Sequence, residues 1–186
     1  MTGLLLAIVL ALQAPEVEAI LARENDPEAL SQAARGFAEA RRYAEAELLW
    51  RRAAELRPDF FPALFNLGFM HFSRERFQDA APWLERASRA RPKDYNARYL
   101  LGTALVRLDR REEGLRAWRA ALALRPDDVR LMQVMSVEDS KGRYYTEAAA
   151  IARRALGVQA DDQGGAGRRR RGCGAASRAP RRETIP

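Results

Sequence analysis

Apolar and polar residues alternate along most of this chain with the period of α-helices, and one helix carries more apolar residues than a core requires. In residues 57–72, RPDFFPALFNLGFMHF, Leu64 and Leu67 mark one face of the predicted helix, and Phe65 and Phe69 mark another. A surface helix in a small domain usually buries a single apolar stripe. We therefore expect the second face to contact something other than the core.

A fixed repeat period organises the chain between positions 27 and 162. Arg-Pro pairs begin at Arg57, Arg91 and Arg125, and alignment on them defines four copies, which are 27–60, 61–94, 95–128 and 129–162. Equivalent positions then hold the same residue types; one column consists of Ala53, Ala87, Ala121 and Ala155. A period of this length is typical of stacked repeats that share a continuous core.

Each copy predicts two helices joined by a short turn. In the second copy Pro62 suits a first helical turn, and Pro92 ends the second helix because it lacks a donor. Asp26, which precedes Pro27, suits the N-cap of the first copy. Small residues such as Gly68 and Ala80 allow the paired helices to approach closely.

This pattern resembles the tetratricopeptide repeat, over about residues 27–162. The matching residues are Leu67-Gly68, Tyr43 and Phe77, Ala80, Trp50 and Trp118, Ala87 and Pro92. The resemblance implies an all-α fold, a right-handed superhelical stack of three to four αα-hairpins. The fourth copy departs from the pattern at Ser136, Asp139 and Ala160, so we expect a degenerate or capping repeat there.

The resemblance also implies a concave surface lined by the first helix of each copy. The predicted partner-binding residues are Arg35, Phe65, Phe69, Phe72, Tyr99, Val106, Arg107, Arg130 and Lys141. Apolar anchors flanked by cations favour another protein as the partner, through an extended or helical segment with acidic residues. The alternative is that the chain covers these rings itself, for instance with residues 1–24.

One branch of the family binds carboxylates through a clamp of lysine, asparagine and arginine. Its positions correspond here to Ser31, Arg35, Asn66, Asn96 and Leu100, of which only Asn66 keeps the expected type. We therefore do not expect that clamp in this chain.

The net charge of +7 belongs to the end of the chain rather than to the repeats. Residues 163–186 contain seven arginines and one glutamate, whereas residues 1–162 carry 25 basic and 24 acidic groups. We expect a disordered Arg/Gly-rich tail, in which Arg168, Arg169, Arg170 and Arg171 provide weak anion contacts. A truncated or frame-shifted end explains the same composition. The tail has no aromatic residues to stack on bases, so nucleic acid is disfavoured as a partner.

The first residues, MTGLLLAIVLALQA, form a short apolar run. Residues 4–12 are too few to span a bilayer, so no transmembrane span is expected in the mature chain. Their length suits a secretory signal peptide over 1–19, with cleavage after Ala19, although no Lys or Arg precedes the run. We expect export to the periplasm or exterior; the alternative is an apolar N-terminal helix packed on the fold.

Candidate chemistry is sparse. His71 is the only histidine and Cys173 the only cysteine, and no phosphate-loop, HExxH, CxxC or GxSxG motif occurs. We therefore expect no enzyme activity, cofactor or metal, and interpret His71 as a buried spacer. The sequence predicts that the protein is an exported adaptor or assembly factor. One alternative is a regulatory or substrate-recruiting subunit of an enzyme on another chain. The other is a protein that binds nucleic acid or anionic lipid through its Arg-rich tail. The pattern predicts no oligomeric state.

Overall fold

The computed structural model describes residues 16–141 and 145–172, and within them the secondary structure is all α-helix. This confirms the all-α prediction. The helices are α1 (16–23), α2 (Pro27–Glu39), α3 (Tyr43–Leu56), α4 (Phe61–Ser73), α5 (Phe77–Ala90), α6 (Tyr95–Arg107), α7 (Arg111–Leu122), α8 (Val129–Lys141) and α9 (Tyr145–Gly172). Two compact units divide the chain after Arg125.

In the first unit three hairpins stack in sequence order, α2–α3, α4–α5 and α6–α7, each packed on the next. The small columns of the sequence lie where helices meet: Ala53, Ala87 and Ala121 are fully buried. At Gly68 a Cβ atom would lie 2.7 Å from the Leu84 side chain, so the close approach of α4 to α5 requires glycine.

The turn inside each hairpin of the first unit is the same tight structure. Arg41, Glu75 and Asp109, which occupy equivalent positions of the first three copies, have φ angles of 61°, 57° and 60°. The residue after each one donates its backbone N–H to a carbonyl five residues earlier, as Arg76 does to His71 at 2.9 Å. This αL turn ends the first helix and reverses the chain in few residues.

Arginines form ion pairs at the start of the second helices and hydrogen bonds to the turns between hairpins. The Arg76 and Arg110 guanidinium groups bond the carboxylates of Asp79 and Glu113, three residues later, at 2.8 and 2.7 Å. These bonds raise the pKa of Arg110 and lower the pKa of Glu113. Farther along the second hairpin, Arg86 donates to the Pro58 carbonyl at 3.2 Å. The repeated arginines therefore bond to the protein itself, as the near-neutral charge of the repeats suggests.

Helix α1 packs on the first hairpin. Val17 is 2% exposed within the core cluster that contains Leu30 and Trp50, and Ile20 and Leu21 pack against that cluster. The ion pair between Glu16 and Arg42 at 2.9 Å is the main cause of the raised pKa of Arg42. Residues 1–15 lie outside the described residues, so the predicted apolar leader is described only from residue 16 onward.

The second unit contains the fourth hairpin, α8–α9. The buried side chains of α8 include Leu131, Met132 and Met135, and Ser136 donates to the Ala148 carbonyl of α9 at 3.1 Å. Helix α9 extends to Gly172, through the first part of the segment for which disorder was predicted. Residues 173–186, including Cys173, lie outside the described residues.

Candidate functional site

Three phenylalanine rings of α4 stack in a row, which we call the aromatic track: Phe61, Phe65 and Phe69. Their centroids are 5.4 and 6.2 Å apart, with interplanar angles of 20° and 4°. The spacing of four residues places all three on one side of the helix. Phe61 was not among the residues predicted from the sequence, although its place four residues before Phe65 was a usable signal.

The next hairpin repeats the beginning of this arrangement on α6. The rings of Tyr95 and Tyr99 stack at 5.8 Å and 13°, and the Arg125 guanidinium lies 3.9 Å from the Tyr95 centroid. In the same way Arg91 lies over Phe61 at 4.3 Å. Each of these arginines comes from an Arg-Pro pair, so this repeated pair supplies a cation for the first ring of its own copy.

Exposure increases along the aromatic track. Phe61 and Phe65 are half-buried and pack against the core cluster of the first unit, whereas Phe69 is 49% exposed. Phe69 is the most exposed aromatic ring among the described residues. The described part of the leading segment, α1, packs with the core of the first hairpin.

Two predicted site residues face the protein itself. Phe72 meets Phe77 of α5 edge-on at 5.4 Å and packs against the core cluster of the second and third hairpins. Val106 packs close to Gly114 of α7, within its own hairpin. Because both lie near the hairpin turn, the start of the following helix is within their reach.

The predicted cations differ in their surroundings. Arg35 of α2 is exposed and lines a cleft at the start of the aromatic track. Arg107 of α6 lies over the ring of Phe77 at 4.6 Å, and its guanidinium is 3.9 Å from the Glu75 carboxylate. Arg107 is therefore held partly by the protein.

The remaining predicted residues belong to the second unit. Arg130 is exposed on α8, and Lys141 at its end pairs with Glu138 at 2.6 Å. Val134 and Val137 are also exposed on α8, at 44% and 56%. Arg168, Arg169, Arg170 and Arg171 fall on α9, and their side chains lie outside the described residues.

The cleft beside Phe61 has a volume of about 660 Å³. Its walls come from α2, from the turn that precedes α4 and from the end of α5. The charged lining residues are Glu28, Arg35, Arg57, Asp59 and Arg91, and Phe60 and Phe61 supply apolar surface. The cleft and the aromatic track therefore share Phe61.

His71 lies between the first two hairpins and is 1% exposed. Neither ring nitrogen has a hydrogen-bond partner among the described residues, and Nε2 is 3.6 Å from the Glu47 carboxylate of α3. Burial lowers the pKa of His71, against the smaller opposite effect of Glu47. The imidazole is sealed from solvent, so it does not form part of the candidate surface.

Two kinds of feature are missing from the described residues. None of their helices combines the length and the apolar character of a membrane span. Likewise, no group of three or more His, Cys, Asp and Glu side chains is arranged to hold a metal ion over the described ranges 16–141 and 145–172.

Comparison with known proteins decides the nature of the repeat. A family model described as tetratricopeptide repeat matches residues 31–95, which include most of the first hairpin and all of the second. Residues 31–95 are tetratricopeptide repeats. This confirms the resemblance found in the sequence, and the tetratricopeptide fold is that of a protein-binding scaffold.

Solved structures of MamA share this tetratricopeptide fold. The MamA RS-1 ArsTM double mutant is 26% identical with a TM-score of 0.64, covering 78% of this chain and 82% of its own. The 41-end form of MamA from Desulfovibrio magneticus RS-1 is 25% identical with a TM-score of 0.62, covering 81% and 89%. A further crystal structure of MamA has a TM-score of 0.66 at 18% identity, covering 78% and 85%, and shows the fold alone.

A curated relative is much longer than this chain. The protein O-mannosyl-transferase Tmtc3 of Drosophila melanogaster is 28% identical over 109 residues, which are 58% of this chain. The match covers only 12% of the length of Tmtc3. The transferase activity in that name therefore describes Tmtc3 as a whole.

Proposed function

We propose that this chain is a non-catalytic, exported adaptor or assembly factor that holds a segment of a partner protein on the aromatic track. The observation that carries the proposal is Phe69, which is 49% exposed at the end of a row of stacked rings. Aromatic side chains contribute much of the energy of protein interfaces when a partner buries them. The tetratricopeptide fold supplies the rigid helix on which the rings are held.

A partner that covers the track removes apolar area from water. Burying an aromatic side chain removes roughly 150 Å² or more from water, and each Å² of apolar area contributes about 25 cal/mol before the costs of association. A single half-exposed ring contributes a fraction of this gross value. Phe65, half-buried and stacked against Phe69, extends the apolar surface, so the partner is expected to carry more than one apolar side chain.

The test is a matched pair of substitutions, Phe69→Ser and Leu48→Ser. Leu48 is 52% exposed on α3, so both changes remove a large, half-exposed apolar side chain. We expect Phe69→Ser to weaken binding of a peptide selected from a random library on the wild-type chain at least tenfold and Leu48→Ser to leave it unchanged, as measured by isothermal titration calorimetry. Circular dichroism checks that both variants keep their helices. Equal effects of the two substitutions would refute the assignment of the track.

Export is part of the same proposal and rests on the apolar run at residues 4–12. Cell fractionation and sequencing of the mature N-terminus of the natural protein test it. Recovery of the chain only in the cytoplasm, with its first residues intact, would contradict export while leaving the binding surface unaffected.

A further inference from the structure

The cleft at the start of the aromatic track has more cations than its own carboxylates neutralise. Arg57 pairs with Glu28 at 2.5 Å and lies over the ring of Phe60 at 4.0 Å. Arg35 and Arg91 form no ion pair among the described residues, and both are exposed. Asp59 is the remaining acidic group of the cleft wall. Beside the pair of Arg57 with Glu28, the charged residues of the lining are Arg35, Arg91 and Asp59, so the cleft keeps one net positive charge.

The ring of Phe61 positions the Arg91 side chain at the cleft. The central carbon of its guanidinium lies 4.3 Å from the centroid of the Phe61 ring, and this cation–π contact holds the group beside the cleft. A guanidinium has five N–H donors, so an arginine in such a contact can still donate to a carboxylate. An arginine fixed in this way loses less side-chain entropy when it binds than a fully mobile one.

Phe61 connects this charged cleft to the apolar rings. It lines the cleft and is also the first ring of the track, 5.4 Å from Phe65. A polypeptide that lies along the track from Phe69 towards Phe61 therefore reaches Arg35 and Arg91 at its end. At the end of α6, Arg107 already interacts with Glu75 and Phe77. We therefore expect the carboxylate of a bound segment to lie at the Phe61 end of the track.

We propose that the cleft is a carboxylate subsite, so that the partner is an acidic segment with apolar side chains on Phe65 and Phe69 and a carboxylate between Arg35 and Arg91. This inference rests on the proposed function and names the chemistry of the partner. It differs from the clamp found in one branch of the family, because Arg91 comes from an Arg-Pro turn and most clamp positions have changed. Charge complementarity selects the acidic segment over a basic or neutral one.

The probe is a library of random dodecapeptides displayed on phage, prepared in two formats. In one format the peptide has a free carboxyl end; in the other it is fused at that end, so only Asp and Glu side chains supply carboxylates. The full chain is the bait. Selected peptides are then synthesised in acidic form and with each acid replaced by its amide, and the ratio of the two affinities is measured.

We expect selected peptides to contain a carboxylate on one side of two or more apolar residues, and to bind the wild-type chain about tenfold more tightly than their amide forms. Arg35→Gln is expected to reduce that ratio to below about threefold, and Arg91→Gln to reduce it partly. Arg89→Gln is the matched control: Arg89 is exposed on α5 and pairs with Glu85 at 2.8 Å, outside the cleft. This control should leave the ratio unchanged.

The outcomes separate this inference from the proposed function. Peptides that lose binding with Phe69→Ser but show the same acid-to-amide ratio on wild type and Arg35→Gln overturn the carboxylate subsite and leave the track intact. Peptides that are unaffected by Phe69→Ser overturn the proposed function. Selection of basic peptides, or single-stranded DNA that competes only when Arg35 is present, also overturns the inference, because the cleft would then serve a different ligand.

Discussion

At the scale of single residues, the buried imidazole of His71 links stability to pH. Desolvation lowers its pKa, and the neighbouring charges act in both directions: Glu47 and Asp79 raise it, whereas Arg76 and Arg51 lower it. The unfolded chain titrates near pH 6.5 and therefore takes up a proton before the folded chain does. The neutral imidazole thus favours folding above that pH, and this contribution is lost as the pH falls below it.

We expect the free energy of unfolding to fall between pH 7 and pH 5.5, by at most about 1.4 kcal/mol per pH unit for one proton. Urea denaturation at a series of pH values measures the slope. His71→Phe keeps an apolar ring in the slot without a titrating group, so it should flatten the slope in this range. An identical pH profile in wild type and variant would mean that other groups cause the dependence.

The residue scale also shows why the site was only partly predictable. Phe65 and Phe69 were predicted because they lie on a second apolar face of the helix, apart from the core-facing Leu64 and Leu67. Phe61 was missed because it is the first residue of α4 and of its copy, and the resemblance implies no groove-facing residue at that position. Phe72 was placed on the concave surface by the family resemblance, but the αL turn at Glu75 brings Phe77 against it. Local periodicity carries no information about that turn.

At the scale of elements, the repeat period predicted the hairpins well because each boundary has a local cause. Asp26 accepts from the backbone N–H groups of Glu28 and Ala29, and Asp94 and Asp128 cap their helices in the same way. The hydrogen bond from Ala29 lowers the pKa of Asp26. The contacts of Arg86 with the Pro58 carbonyl and of Arg57 with Glu28 were not predictable, because they join positions far apart in the sequence through side-chain geometry.

Helix α1 is an element whose identity the sequence left open, and its contacts give a prediction. Val17→Ala should lower the free energy of unfolding by about 1 to 2 kcal/mol, because the methyl groups removed are 2% exposed in the core cluster. Glu18→Gln, on the exposed side of the same helix, should change it by less than about 0.5 kcal/mol. Urea denaturation compares the two variants. Equal stabilities would show that α1 contributes little to the fold.

The same contacts bear on maturation. Cleavage after Ala19 would remove both Val17 and Glu16, one of the two carboxylate partners of Arg42, and would leave a charged amine at Ile20 beside the core cluster. For this reason we expect the mature exported chain to retain Glu16 and Val17. Sequencing of the mature N-terminus checks this, and a chain beginning at Ile20 would contradict it.

At the scale of the whole molecule, charge and apolar surface are separated along the sequence. The repeats are nearly neutral overall, and their arginines mostly bond to neighbouring carboxylates, rings and carbonyls within the fold. The apolar track lies in the first unit, whereas the net positive charge lies in residues 163–186. Binding through the track and binding through the basic segment are therefore expected to respond differently to salt.

Deletion of residues 163–186 tests this separation, because it removes seven arginines and one glutamate and so lowers the net charge from +7 to +1. We expect the shortened chain to lose salt-sensitive retention on heparin while it keeps its affinity for peptides that depend on Phe69. A chain of full length with Arg168, Arg169, Arg170 and Arg171 replaced by Gln is the control for the loss of length, and it should show most of the same loss of retention. Heparin retention that survives the deletion would place polyanion binding on the repeats. Loss of the Phe69-dependent peptides would instead make the basic segment part of the partner site, and the adaptor would then bind through both ends of the chain.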